Sequence, residues 1–502
     1  MKKTIITSLF CVGLFAALDA APEASVTQAD LQALRALIEQ QNAKIEAQAK
    51  RIAELEGRLG AAKPSAAAPS AEAAEEPKTE APKIVPSEDT TTNETGRIWT
   101  LGDGSKFYLA DVTAGIFQPL SESGLRITPY GYLTFEIVHN THKTETDIYT
   151  DWVLPRRNGM KNGDHQTVFS MNDSILGLNF DTPETYQGWK FNGKFEFDLA
   201  GSNANDPDFH FRHLYFAMDH EETGWNILFG QTWHLWKMVN PQEIDGAWME
   251  NTGYPYRRTP QLRVTKLFKW DDSSLELRAG IVKNGNGMGG DRDGDYNQDN
   301  TASAWGLVEG AIVYDHKAFW EDSDRRWLVG LAGMYGREKS HRFWYDADED
   351  EFERYGKSDE YDTDMVMIAA SLPFFSKFKV TGQLFAGENL DGIQAGIGQG
   401  IAMPDPTRRG REVSTIGGFA DLRYDCTEKW AFAIGYGFDD PTDSEAKDAE
   451  DRVFNERVYA DVFYQFNDNL HFGLEYAHLR TKYYYQGDAD DDRIQFTAFF
   501  DF

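Results

Sequence analysis

Cysteine is nearly absent from this chain: there are two in 502 residues, Cys11 and Cys426. Cys11 lies in an apolar run that reads as part of a cleaved leader, so Cys426 is left alone and an internal disulfide framework is excluded. The chain also lacks any mature apolar stretch near the roughly 20 residues a membrane-crossing helix needs. Residence in a membrane must therefore be through strands. Positive charge is scarce, with 50 Lys and Arg against 81 Asp and Glu and a formal net charge of −31. No basic face is evident, which argues against a nucleic-acid partner.

Catalytic signatures are missing as well. There is no Gly-x-Ser-x-Gly elbow and no His-Glu-x-x-His zinc motif, and His220-Glu-Glu-Thr-Gly224 lacks the second histidine. The stretch Asp291-Arg-Asp-Gly-Asp-Tyr-Asn297 hints at calcium, but Tyr296 stands where an EF-hand loop wants glycine and Ala302 where it wants glutamate. The chain reads as a non-enzyme with no catalytic residue, no metal site and no cofactor. Calcium bridging among acidic outer loops stays open without a defined motif.

Four segments are present instead. Met1-Lys-Lys, an apolar run from Ile5 to Leu18 and the small residues Ala20 and Ala21 read as a secretory signal peptide over 1–20. Over 21–59, Leu31, Ile38, Ile45, Ile52 and Leu59 recur every seven residues, with Leu34, Gln41, Gln48 and Leu55 between them. That spacing predicts an α-helical coiled coil. Residues 60–96 turn to Ala, Pro, Ser, Glu and Thr, a composition that builds a linker and not a core.

From 97 to 502 the pattern is period two. Sixteen strands are expected between 127–138 and 492–502, separated by turn-like clusters, which makes an all-β, 16-stranded antiparallel transmembrane barrel. In the clearest strand, Trp189, Phe191, Gly193, Phe195 and Phe197 share one face, with Lys190, Asn192, Lys194, Glu196 and Asp198 on the other. The last stretch puts Ile494, Phe496, Ala498, Phe500 and Phe502 on one face, broken only by Phe499. Phe500 and Phe502 resemble the aromatic signal read by the outer-membrane barrel assembly machinery. Counting back from Phe502 as periplasmic, the connections alternate short and long, and the long outer ones include 139–167, 234–257, 338–362, 389–412, 439–453 and 482–491. The acidic segments Asp346–Glu351, Asp359–Asp364, Asp439-Asp440 and Asp488–Asp492 are expected to be solvated loops. With Leu262, Val264 and Phe268 toward lipid, Arg257, Thr259, Gln261, Arg263 and Thr265 face the lumen. The facing of the fourth strand stays open, because Phe211, His213 and Tyr215 compete with Leu214, Phe216 and Met218 for the outside.

Arg212-His-Leu-Tyr215, Phe229-Gly-Gln-Thr-Trp233 and Arg258-Thr-Pro-Gln-Leu-Arg263 resemble the strand-four to strand-six region of the DcaP-like trimeric outer-membrane porins. The signal, heptads, linker and barrel match that family too. The resemblance implies a homotrimer held through barrel and coiled coil, a barrel in outer-membrane lipid with the coiled coil in the periplasm, and passive diffusion of small hydrophilic, dicarboxylate-like anions. In sixteen-stranded porins the third loop folds into the lumen. By resemblance, Lys237, Glu243 and Asp245 of 234–257 would stand at a constriction facing Arg257 and Arg263, with Arg212, Lys190 and Lys194 extending the basic ladder. An alternative packs Trp236 and Trp248 of that loop at a subunit contact. The ladder has its own alternative, in which its arginines pair with Glu196, Asp198, Glu243 or Asp245 and stiffen the wall. The strongly acidic balance departs from the family, so the sign of any ion preference stays open. A competing reading is a structural protein whose coiled coil tethers the membrane to peptidoglycan.

Overall fold

Alternating side chains give each strand one face for lipid and one for the interior, and closing the sheet satisfies every edge. The structure is a computed structural model. It describes residues 125–502, apart from 147, 156–164, 183–185, 201–207, 247, 285–305, 319–324, 347–350, 403–407 and 442–451, together with the two-residue strands Trp99–Thr100 and Lys106–Phe107. The expected signal peptide, coiled coil and linker lie outside the described residues.

Sixteen staves form a closed antiparallel barrel. They are β1 Arg126–Asn140, β2 in two pieces (Gln166–Ser170 and Ile175–Asp181), β3 Trp189–Asp198, β4 His210–His220, β5 Trp225–Trp233, β6 Arg258–Lys269, β7 Ser273–Val282 and β8 Leu307–Lys317. The second half comprises β9 Arg326–Asp346, β10 Glu351–Phe374, β11 Phe378–Glu388, β12 Ser414–Asp425, β13 Trp430–Pro441, β14 Arg452–Gln465, β15 Leu470–Tyr483 and β16 Gly487–Asp501. Each stave pairs with its neighbours in sequence, and β16 pairs with β1. Phe502 finishes the seam: its N–H donates to the Gly131 carbonyl at 3.0 Å, and Gly131 N–H donates back at 3.2 Å.

The outer face carries Val308, Ile312, Leu331, Ile368, Leu384 and Ile434, all exposed, while their strand neighbours are buried. Phe500 faces out, whereas Phe499 turns in and stacks on His471 with ring centroids 4.5 Å apart. A bulge settles the facing of β4. Glu196 pairs with His213 and Phe197 with Phe211, leaving Arg212 as the extra residue. Phe211 below the bulge and Leu214 and Phe216 above it are all exposed, while His213 is buried. Both competing registers are thus correct, each in its own half of the strand.

Two expectations are corrected. The 338–362 connection is largely strand: β9 and β10 are 21 and 24 residues long, about twice what a tilted membrane strand needs. The acidic segments are not all solvated loops either. Asp491 lies in β16 and Asp439 in β13, both buried. Backbone donors from in-folded connections reach them, His142 N–H to Asp491 at 2.8 Å and Gly396 N–H to Asp439 at 2.9 Å. A carboxylate supplied with N–H donors can leave water.

Candidate functional site

Among the described residues, three outer connections fold into the barrel. The third, 234–257, starts against β8, where His234 bonds Glu309, Leu235 N–H donates to Glu309 Oε2 at 2.9 Å and Trp236 Nε1 donates to Oε1 at 3.2 Å. It then crosses to the opposite wall. Gln242 N–H donates to Asp421 of β12 at 3.0 Å, and Ile244 N–H donates to Glu475 of β15 at 2.9 Å. Two glycines make the close passage feasible. Gly253 adopts φ +111°, and a Cβ there would lie 2.1 Å from the Gly418 carbonyl; a Cβ on Gly437 would lie 2.1 Å from the Thr252 carbonyl.

The 389–413 connection buttresses it. Tyr256 N–H donates to the Ile393 carbonyl at 3.1 Å and Asn251 N–H to the Gln394 carbonyl at 3.2 Å. Leu235, Trp236, Leu390 and Ile393 pack together on the inward Met334, Met365, Met367 and Phe385 of β9 to β11. The first connection lies against β14 to β16, with Val153 N–H donating to Thr481 at 2.9 Å and Tyr483 OH to the Val153 carbonyl at 2.7 Å. Folded chain therefore covers the inner wall from β8 round to β16.

Among the described residues, the wall from β3 to β6 is left open, with β7 at its margin under the third connection. There Arg212 donates from Nε to Glu196 at 2.6 Å and from Nη1 to Asp198 at 2.7 Å. Lys194 lies 3.9 Å from Glu196. Arg263 bonds the Trp233 carbonyl and Gln261, and Arg278 donates from Nη1 to the Leu235 and Lys237 carbonyls at 3.0 and 3.2 Å. The Trp233 ring gathers three cations, with Lys237 Nζ 3.5 Å, Arg258 Cζ 4.4 Å and Arg212 Cζ 5.9 Å from its centroid. Toward the outer mouth lies a cavity of 660 Å³, whose lining includes the cations Arg212, Arg257, Arg258 and Lys283 and the carboxyl groups of Asp173, Asp198, Asp208 and Glu250.

The expected site residues are thus divided. Arg212, Lys194, Lys237, Arg257 and Arg263 come together on the open wall or at its mouth. Lys190 does not: it pairs with Glu221 beside the short turn that follows β4, with both side chains largely exposed. Glu243 and Asp245 do not line the opening either. They are buried behind the loop on Arg457, which lies 3.3 Å from Glu243 and 2.7 Å from Asp245 and also binds Glu475 at 2.6 Å. Arg493 adds a contact to Asp245 at 3.2 Å. Trp236 is buried inside the barrel. Arg258, Arg278 and Trp233 were missed because strict alternation assigns Arg258 and Trp233 to lipid; both sit where β5 and β6 end and turn into the mouth.

Asp151 of the first connection is buried, and its carboxyl is pushed up to about 7 from 3.8 by burial and by repulsion from Glu145 and Asp245, against the pull of Arg452. With the folded value raised, the stability tied to this proton is complete below about pH 4 and lost as pH rises through about 7. The melting temperature should fall across that window, and Asp151→Asn should flatten that part of the profile. An unchanged slope in the variant would count against the assignment.

A closed barrel of sixteen staves with an in-folded third connection and an eccentric, charge-lined opening is a porin-type fold. That fold is DcaP-like: the outer membrane channel DcaP of Acinetobacter baumannii superposes with a TM-score of 0.60 at 16% identity, covering 76% of this chain and 98% of that one. The anion-selective porin from Comamonas acidovorans gives a TM-score of 0.47 at 11% identity over 75% of this chain and all of that one (100%). Pseudomonas putida OprB gives 0.47 at 9% identity over 78% and 97%. No protein-family model and no curated protein matches the sequence.

Proposed function

We propose that this chain is an outer-membrane porin passing small hydrophilic solutes, with a preference for anions, as a homotrimer whose heptad segment lies in the periplasm. One observation carries the reading. In a chain of net charge −31, the inner wall that the described connections leave uncovered is the one bearing Lys194, Arg212, Arg258 and Arg263. The field an ion meets is that of the uncovered wall, because the acidic excess elsewhere is screened over about 8 Å at physiological salt. Lys237, brought in by the loop, adds to it.

Planar-bilayer recordings test this directly. Stepwise conductance from the folded protein is the expected result, and its absence overturns the porin reading. In a salt gradient the reversal potential should report anion preference. Arg212→Ala leaves Glu196 and Asp198 uncompensated and should lower the anion-to-cation permeability ratio about fivefold or more, as a unit charge a few ångströms from the ion path is worth about 1 kcal/mol in water. A wild-type channel selective for cations would overturn the anion preference alone.

A further inference from the structure

At the short-turn end of the lumen, opposite the outer mouth, a second group of cations stands apart from the open wall. Lys379 is the second residue of β11 and Arg423 the third from last of β12, and the register sets them directly opposite each other. Both belong to the inner face: their neighbours Val380 and Leu422 are exposed on the outside, while Thr381 and Asp421, two residues further along, are buried in the barrel. Arg325, just before β9, reaches past β10 to join them, its Nη1 donating to the Phe378 carbonyl at 3.0 Å. The charged groups around Lys379 are therefore Arg423 and Arg325 against Asp421 and Asp425. Both carboxylates are engaged elsewhere. Asp425 takes Arg423 Nε on Oδ1 at 2.8 Å and Arg325 Nη2 on Oδ2. Asp421 accepts the Gln242 N–H at 3.0 Å and Tyr459 OH at 3.4 Å.

Among the described residues, the Lys379 ammonium has no hydrogen-bond acceptor and no ion-pair partner. Arg423 Nη2 has none either, since Nη1 donates to Gln242 Oε1 at 3.3 Å and Nε to Asp425. Like charges directly opposite on a sheet destabilise it, so this pair is a cost that the fold leaves uncompensated. The Arg423 and Asp425 side chains are 27% and 33% exposed, which opens the group to solvent. Gln242 contacts both Asp421 and Arg423, so the cations lie just beneath the third connection.

We propose that Lys379 and Arg423 form a second anion-binding station, which holds an oxyanion through the ammonium and the unoccupied Nη2 after a solute has passed the third connection. Charge-assisted bonds to the oxyanion remove the repulsion between the two cations. The inference rests on the porin reading for the route by which the solute arrives.

Two measurements on the full-length protein test it, with inorganic phosphate as the probe. In detergent at fixed ionic strength, replacing chloride by phosphate should raise the melting temperature; Lys379→Gln should remove most of that rise and Lys379→Arg should keep it. In chloride alone, Lys379→Gln should melt above the wild type, because the like-charge contact is gone. In planar bilayers, phosphate added on one side should reduce the chloride current at concentrations about fivefold lower than on the other, as one charge a few ångströms away is worth, and Lys379→Gln should erase the difference. A phosphate-induced rise undiminished in Lys379→Gln overturns the proposal. So does a Lys379→Gln protein that melts below the wild type in chloride, which would make Lys379 a structural partner of Asp421 or Asp425. Absence of conductance steps would instead overturn the porin reading, and the melting result would still judge the site.

Discussion

Arg457→Met is expected to cost about 3–5 kcal/mol of stability and to release the third connection from the wall. Arg457 is completely buried, and its guanidinium is shared by Glu243, Asp245 and Glu475, none of which reaches solvent. Removing the cation strands the buried Glu243 and Glu475 and leaves Asp245 only its contact with Arg493. Glu475 also accepts the Ile244 and Asp245 N–H groups, so the loop backbone is tied to the same cluster. Unfolding in urea should show the loss, and single channels should become larger and noisier as the loop lifts. A companion variant separates charge from packing: adding Glu243→Gln, Asp245→Asn and Glu475→Gln to Arg457→Met should restore most of the stability. Conductance and unfolding midpoint both unchanged in Arg457→Met would refute the anchoring role.

Trp236→Ala should be comparably severe by a different mechanism. The indole is buried inside the barrel among Leu235, Leu390, Ile393, Met365 and Phe385, and its Nε1 donates to Glu309 at 3.2 Å. Truncation leaves a cavity, with a loss of about 3–5 kcal/mol. Trp236→Phe keeps most of the packing and gives up the N–H donor, for about 1 kcal/mol. The expected order of urea midpoints is wild type, Phe, then Ala, with open-channel current rising in the Ala variant. Equal midpoints for Phe and Ala would mean that the hydrogen bond, not the packing, holds the loop.

The sixteen staves were legible because lipid and lumen impose opposite demands on adjacent residues, and a strand cannot hide that alternation. Trp189 to Asp198 and Trp430 to Phe438 announce it plainly. The β4 region was legible only in halves, since a single bulge residue, Arg212, reverses the phase without leaving a mark in composition. The in-folded 389–413 connection went unread, yet one signal pointed to it. Met365-Val-Met-Ile-Ala369 is apolar on both faces, as befits a strand covered on both sides. For the third connection the signal is the small inward Ala433 and Gly437, which leave room for Met249 and Thr252. The roles of Glu243 and Asp245 were misplaced for a related reason: a loop carboxylate looks the same in sequence whether it faces water or a buried arginine.

By itself the sequence determined the strand count, the antiparallel order, the lipid-facing set and the residues competent to line an opening, because these depend on local periodicity and on the charge each position carries. Which of those residues meet the opening was decided only by tertiary structure. Among the described residues, three connections fill one side of the lumen, bury Glu243 and Asp245 on Arg457, and leave Arg212, Arg258 and Arg263 on the uncovered side. That choice arises from contacts between segments as far apart as Leu235 and Leu390, and no local pattern encodes a contact across that distance.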